Sequence, residues 1–376
     1  MKIALIGPAH PYRGGIAHHS TMLSTYLRKR GHQVDLITFT RQYPAFLYPG
    51  KFQEESGDGP PAERMIDSMN PFNWVSVGWE LRRREYDVIA FRFWLPLFGP
   101  AFGTIARFAR RKGGKQIMAV IDNFISHERR PGDLLLTKYF FRYCTMAMTQ
   151  SSSVEKSLRE VYPTLPQVMS PHPTYENFGA AIPRDQARAK LGVTAPKVIL
   201  FFGFVREYKG LHRLLAAMPV IVSRVPDIHL YVVGEFFDSP EPYLAQIRDG
   251  EVGDHITIHD AYVSNEEVAD WFSIADMVVM PYVSATNSGI VMIAYNFGIP
   301  AIVTDVGSLS EVVLDDQTGF VLADAAPETI ASAVERMYQG DTIERFSRTI
   351  ADERKKYTWD TFAEAFEKLV ERVRSR

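Results

Sequence analysis

The sequence predicts an α/β fold built from two doubly wound parallel-sheet domains of similar design. Three observations carry this. A chain of 376 residues is longer than one ordinary core organises. Short apolar runs without polar alternation recur between helical patterns, as strands buried on both faces of a parallel sheet require. That rhythm pauses at a Pro-rich stretch, YPTLPQVMSPHP, and the polar segment after it to about Gly192, and then restarts. The domains are accordingly expected at residues 1–180 and 193–358.

In the first half, the strand MKIALIG leads through Gly14 and Gly15 into the helix IAHHSTMLSTYLRKRG and the strand QVDLITFT. Residues 41–80, rich in proline, glycine and aromatics, read as an irregular excursion. YDVIAFRF, the helix around FGTIARFARRKG, KQIMAVID, TMAMTQS and the helix VEKSLREV complete the domain. The second half repeats the grammar. Strand KVILFFG precedes helix LHRLLAAMPVIVSRV, strand IHLYVVG, helix PYLAQIRDG and strand HITIHD. Helix NEEVADWFSIA, strand DMVVMPY, helix GIVMIAYNFG, and strands PAIVTDVG and TGFVLA follow. Two helices close the chain, the last being WDTFAEAFEKLVERVRSR.

The net charge of -2 conceals an asymmetry. Residues 1–180 carry 23 Lys+Arg against 15 Asp+Glu, whereas residues 181–376 carry 19 against 29. A basic first half suits an anionic partner such as lipid head groups or a phosphorylated acceptor. The segment FWLPLFGPAFGTIARFARRKGGK (93–115) combines exposed-looking aromatics with Arg107, Arg110, Arg111, Lys112 and Lys115; a core helix is the stronger reading of its apolar residues, while the cation cluster fits a helix lying on an anionic membrane. No apolar run reaches spanning length, MKIALIG reads as a strand start, and the lone Cys144 excludes an internal disulfide and thiolate metal sites. A cytoplasmic location, at most at the inner face of the membrane, is expected.

The most informative segment is FFGFVREYKG, residues 201–210. An apolar strand ends at Gly203, two cations follow three positions apart, and a second glycine, Gly210, precedes a helix. A strand, a cationic turn and a helix hold a phosphate-bearing ligand at the carboxyl end of a sheet. Arg206 offers a two-pronged grip and Lys209 a point charge. A second anion site is expected where Thr286, Asn287, Ser288 and Gly289 open a helix with its free N–H groups. An ordinary cap made by Ser288 is the plainer alternative.

Taken in this order and spacing, PYRGGIAHHSTMLSTYLRKRGHQVDLIT, DNFISHE, FFGFVREYKGL, VVGE, the long ADMVVMPYVSATNSGIVMIAYNFGIPAIVTDVGSLSEVV and DDQTGFV resemble the retaining GT-B glycosyltransferases of family 4. The resemblance covers essentially the whole chain. It implies two Rossmann-like domains facing across a cleft, with the final helix, 359–376, crossing back to the first domain. It implies transfer of a hexosyl group from a UDP- or GDP-sugar to a glycan or lipid-linked acceptor in cell-surface polysaccharide or glycolipid synthesis. Arg206 and Lys209 fall where the family meets the donor diphosphate, aided by Thr286, Asn287, Ser288, Gly289 and the pair Gly14–Gly15. His127 falls where a histidine reaches the transferred sugar, and His18 and His19 are expected to line the same cleft. Tyr262, Val263 and Glu311 are expected near the base and ribose. No cofactor and no metal are expected, since no aspartate-rich DxD motif occurs in a suitable loop, and no nucleic-acid partner. One departure stands out: where many members carry two glutamates with seven residues between them, alignment on Gly298–Pro300 places Ala285 and Ile293. A catalytically silent sugar-nucleotide-binding protein, or an epimerase or hydrolase on the same fold, are the rival readings.

Overall fold

The computed structural model describes residues 1–44, 53–54, 61–110, 116–124, 131–175, 178–285 and 288–375. It divides into two compact units, Met1–His172 with Thr358–Arg376, and Pro173–Tyr357.

The first unit contains a seven-stranded parallel sheet: β1 Lys2–Ile6, β2 Gln33–Arg41, β3 Glu63–Asp67, β4 Val88–Phe93, β5 Gln116–Ile121, β6 Met146–Thr149 and β7 Gln167–Met169. Their order is β3-β2-β1-β4-β5-β6-β7. Alternate side chains of each strand enter different cores. Ile3, Leu5, Val88 and Ala90 meet Leu23 and Leu27 of the helix Gly15–Lys29 and Trp359 and Phe366 of the helix Trp359–Arg374. Ile6, Ile89, Phe91 and Phe93 meet Val77, Phe102 and Phe140 from the helices Pro71–Arg83, Gly99–Ala109 and Asp133–Phe141. Burial on both faces explains why these strands read as unbroken apolar runs.

The second unit holds a six-stranded parallel sheet: β8 Lys197–Phe202, β9 Ile228–Val233, β10 Ile256–His259, β11 Met277–Met280, β12 Ala301–Thr304 and β13 Gly319–Leu322, ordered β10-β9-β8-β11-β12-β13. The helices Leu211–Arg224 and Pro327–Met337 cover one face, and Asn265–Ile274 and Gly289–Asn296 the other. In each sheet the chain winds outward in one direction and then returns to the far side of the first strand. The strand order therefore reverses at β1/β4 and at β8/β11, and ligands of doubly wound sheets lie outside the strand carboxyl ends at such points.

Several elements differ from the sequence reading. The excursion 41–80 contains β3 and the helix Pro71–Arg83, whose N-cap Asn70 accepts from the N–H groups of Phe72 and Asn73. The helices Asp133–Phe141 and Arg184–Leu191 and the three-residue β7 are additional. Three helices, not two, follow β13: Pro327–Met337, Thr342–Glu353 and Trp359–Arg374. Phe93, Phe98 and Phe102 are core side chains at 0–1% exposure, as the core-helix reading of the apolar residues in 93–115 expects.

Candidate functional site

In the second unit the carboxyl ends of β8 and β11 are locked together by backbone. Gly210 has φ +71, and a Cβ there would lie 2.0 Å from the Pro281 carbonyl oxygen, so the cationic turn presses directly on the chain leaving β11. The Val283 N–H donates to the Tyr208 carbonyl at 2.7 Å and reinforces the contact. Within that turn Arg206 lies 4.1 Å from the Phe237 ring centroid, which fixes its guanidinium by a cation–π contact. The Lys209 Nζ approaches to 3.3 Å of the point where a Gly203 Cβ would sit, and Ile290 Cδ1 to 3.2 Å of the same point. The ammonium and the first turn of the helix Gly289–Asn296 therefore meet over the end of β8. Burial, and then the positive charge of Arg206, lower the Lys209 pKa to about 8.

Ser288 is the N-cap residue of that helix, yet its hydroxyl makes no cap bond and donates weakly to Met280 Sδ at 3.8 Å. The first N–H groups of the helix are thus left to other acceptors. Gly289 is required by close approach: a Cβ would come within 2.9 Å of the Tyr175 hydroxyl. Thr286 and Asn287 lie outside the described residues. Tyr262 and Val263 follow β10, with Tyr262 half-buried and Val263 packed in the core. Glu311 is exposed on the short helix Leu309–Val312 that follows β12. Ala285 is held against Gly307, and Ile293 is 6% exposed in the core, so neither position presents a carboxylate.

In the first unit Gly14, at φ +107, precedes the helix that Gly15 opens. His127 lies outside the described residues, as do Glu128, Arg111, Lys112 and Lys115. His18 is half-buried, whereas His19 is fully buried. It belongs to a polar cluster at the carboxyl ends of β4, β5 and β6. Arg92, at 0% exposure, donates to His19 Nδ1 at 2.8 Å and pairs with Asp122. The Gln150 amide donates to the same carboxylate at 3.0 Å. Gly7 makes room for this arrangement, since its Cβ would fall 2.8 Å from Arg92 Cβ. The His19 ring packs edge-on to His172, Trp359 and Phe362 at 4.7–5.0 Å. Burial, then Arg92 and His172, hold its pKa well below the ordinary histidine value, and burial raises that of Asp122. Sequence reasoning passed over Arg92, Gln150 and Tyr175. Arg92 alone gave a signal, as a cation inside the apolar strand VIAFRF.

Two family models match: one described as Glycosyltransferase Family 4 over residues 13–170, and one described as Glycosyl transferases group 1 over residues 196–340. The chain belongs to the GT-B glycosyltransferases. Among curated relatives, this GT-B chain is 33% identical over 158 residues to a D-inositol 3-phosphate glycosyltransferase of Arthrobacter sp. (strain FB24), spanning 41% of this chain and 38% of the relative. The next relatives are likewise spanned over only 40% and 45% of their length. Among solved structures, a sucrose-phosphate synthase from Thermosynechococcus elongatus superimposes with TM-score 0.76 at 19% identity, over 100% of this GT-B chain and 99% of that one. Anabaena Alr3699/HepE, in complex with UDP-glucose, does so with TM-score 0.77 at 15% identity over 100% of both. At these identities the two structures speak to the fold alone. Among the described residues no group of three or more His, Cys, Asp and Glu side chains is placed to hold a metal ion, and no helix is long and apolar enough to cross a membrane.

Proposed function

We propose that this GT-B chain is a retaining glycosyltransferase. It moves a hexosyl group from a UDP- or GDP-sugar to a glycan or lipid-linked acceptor at the inner face of the membrane. The observation that supports this most is the meeting of the Lys209 ammonium and the first turn of the helix Gly289–Asn296 at Gly203, beside Arg206. A nucleoside diphosphate gains charge as the glycosidic bond breaks. Cations and free amides already aimed at that charge stabilise the transition state more than the ground state. Arg206, Lys209, Ser288 and Gly289 take the diphosphate in this reading, with Thr286, Asn287, Gly14 and Gly15 contributing. His127 serves the sugar, and Tyr262, Val263 and Glu311 the nucleoside. The Anabaena protein's complex with UDP-glucose makes UDP the first base to try. Activity is proposed to need no divalent ion.

The test is a thermal-shift panel of UDP-, GDP-, ADP- and CMP-sugars with and without a chelator, followed by turnover with the sugar that binds. A ligand bound only by the folded chain raises its melting temperature. Stabilisation by one donor, retained in chelator and lost in Lys209→Ala, supports the reading; indifference to every nucleotide sugar refutes it. A silent binding protein is the second reading, favoured by the burial of Ile293 and the lack of a carboxylate at Ala285. Slow donor hydrolysis that disappears in Lys209→Ala would exclude it.

A further inference from the structure

The exposed apolar side chains of this protein are concentrated on one layer. Among the described residues eight large hydrophobics are exposed, and six of them, Met69, Phe72, Trp79, Leu97, Leu134 and Leu135, belong to the outer helices of the first unit or the turns that open them. Phe72 is 86% exposed and Leu135 73%, values that burial within the unit does not explain. The three helices form a continuous surface. Gly78 of Pro71–Arg83 sits so close to Gly99–Ala109 that a Cβ would meet Phe108 at 2.7 Å, and Gly99 and Gly103 let Asp133–Phe141 approach as tightly from the other side. Their inner faces go to the sheet through Val77, Phe102 and Phe140. The outward stripe of the first helix is Phe72, Ser76, Trp79 and Arg83, and of the third Leu135, Lys138 and Arg142, each at helical spacing.

The charge on this layer is predominantly positive. Residues 69–84, 97–110 and 131–142 hold seven lysines and arginines and two carboxylates, Glu80 and Asp133, a net of +5. Arg82 lies 5.1 Å from the Trp79 ring and Arg107 5.7 Å from that of Phe108, so cationic heads stand directly beside apolar tips. A bilayer interface rewards that mixture. Indole, phenyl and leucine side chains enter the boundary of the acyl chains, while guanidinium and ammonium groups remain at the phosphates. The acidic second half of the chain, 19 Lys+Arg against 29 Asp+Glu, has no such character.

We infer that the outer face of the helices Pro71–Arg83, Gly99–Ala109 and Asp133–Phe141 docks on an anionic phospholipid bilayer, with Phe72, Trp79, Leu134 and Leu135 inserted and Arg83, Arg107 and Lys138 at the head groups. This rests on the transferase reading only in what it serves, namely presentation of a lipid-linked acceptor; the surface itself stands on exposure and charge.

The experiment is flotation of the full chain with phosphatidylcholine vesicles and with vesicles that contain about one-third phosphatidylglycerol. The protein is expected to float with the anionic vesicles and to be released at high salt, where the Debye length shrinks to a few ångströms. Phe72→Ser and Leu135→Ser should each weaken partitioning on the order of tenfold, and Arg83→Ser with Lys138→Ser together roughly 25-fold at low salt. All four positions are exposed, so unchanged melting temperatures check folding. Failure to float with anionic vesicles overturns the inference. So does equal partitioning of wild type and variants, or conversion of a dimer to monomers by the same substitutions, which would make the face a contact between copies. Lys209→Ala, expected to float like wild type, separates the two readings: loss of its nucleotide response bears on the transferase, and loss of flotation in the surface variants bears on the membrane face.

Discussion

Lys209 carries its charge in a half-buried position with Arg206 as a like-charged neighbour, and its pKa falls from 10.5 to about 8. Between those values the folded chain has lost a proton that the unfolded chain still holds. The cost of the confined charge is therefore fully present below pH 8, and this group's contribution to stability rises as pH climbs toward 10.5. Diphosphate binding runs the opposite way, because an anion restores the ammonium and draws a proton in. Affinity for the donor nucleotide should weaken above pH 8, by up to about tenfold per unit. Titration calorimetry in buffers of different ionisation enthalpy should detect net proton uptake in that range, and Lys209→Arg should bind with no such uptake. A wild-type affinity flat from about pH 7 to 9.5 would contradict the assignment. His19 works at lower pH. Its pKa sits well below the ordinary histidine value of 6.5, so the unfolded chain protonates first as pH drops. Stability due to this group is intact above 6.5 and is lost below it, by up to about 1.4 kcal/mol per unit. Asp122, with its raised pKa, acts in the opposite sense at more acid pH. Urea unfolding compared between neutral and mildly acid buffer should show the loss in wild type and a flatter dependence in His19→Asn; equal slopes would rule out this cause. The sequence pointed to Lys209 by its strand–turn–helix setting. It left Arg92 unremarked inside VIAFRF, because the partners His19, Asp122 and Gln150 are joined to it by folding, not by spacing.

At the scale of elements, the turn between β8 and its helix is a mechanical part as well as a cationic one. Gly210→Ala must adopt φ +71 and also displace the Pro281 carbonyl. A cost of about 3 kcal/mol is expected, a fall of roughly 6–12 °C for a unit of this size. Gly298 shares the same φ of +71 with nothing within 4 Å, so Gly298→Ala should cost only about 1 kcal/mol. Equal losses at the two sites would mean that contact with Pro281 does not decide the turn. The elements read correctly from sequence were the strong ones, such as KVILFF and VIAFRF, buried on both sides. Those missed had weak signals. DLLLTKYFF lacks a clear helical period, β7 is three residues of which none is buried, and the cap Asn70–Pro71 lay in an aromatic stretch that obscured it.

For the whole molecule the last helix is decisive. Trp359, Phe362 and Phe366 are at 0% exposure in the first unit's core, against Leu23, Val88 and Met148. Their burial contributes on the order of 2 kcal/mol each before chain entropy, comparable in sum to the stability of a domain. A chain ended at Tyr357 should therefore lose protection across β1–β7 while the second unit, which contains none of these residues, stays folded. Hydrogen exchange resolved by unit would show this; uniform protection in the shortened chain would show the helix to be dispensable.

Periodicity, apolar runs and glycine placement determined the α/β class, the repeated parallel-sheet design and the cationic turn at 201–210, because all three are written in local spacing. Which strand lies beside which, how Gly203 joins Lys209 to a helix eighty residues later, and which aromatics are core and which face outward were decided by tertiary structure. The physical reason is that those properties belong to pairs of distant residues, and only the closed sheet with its covering helices brings such pairs within contact range.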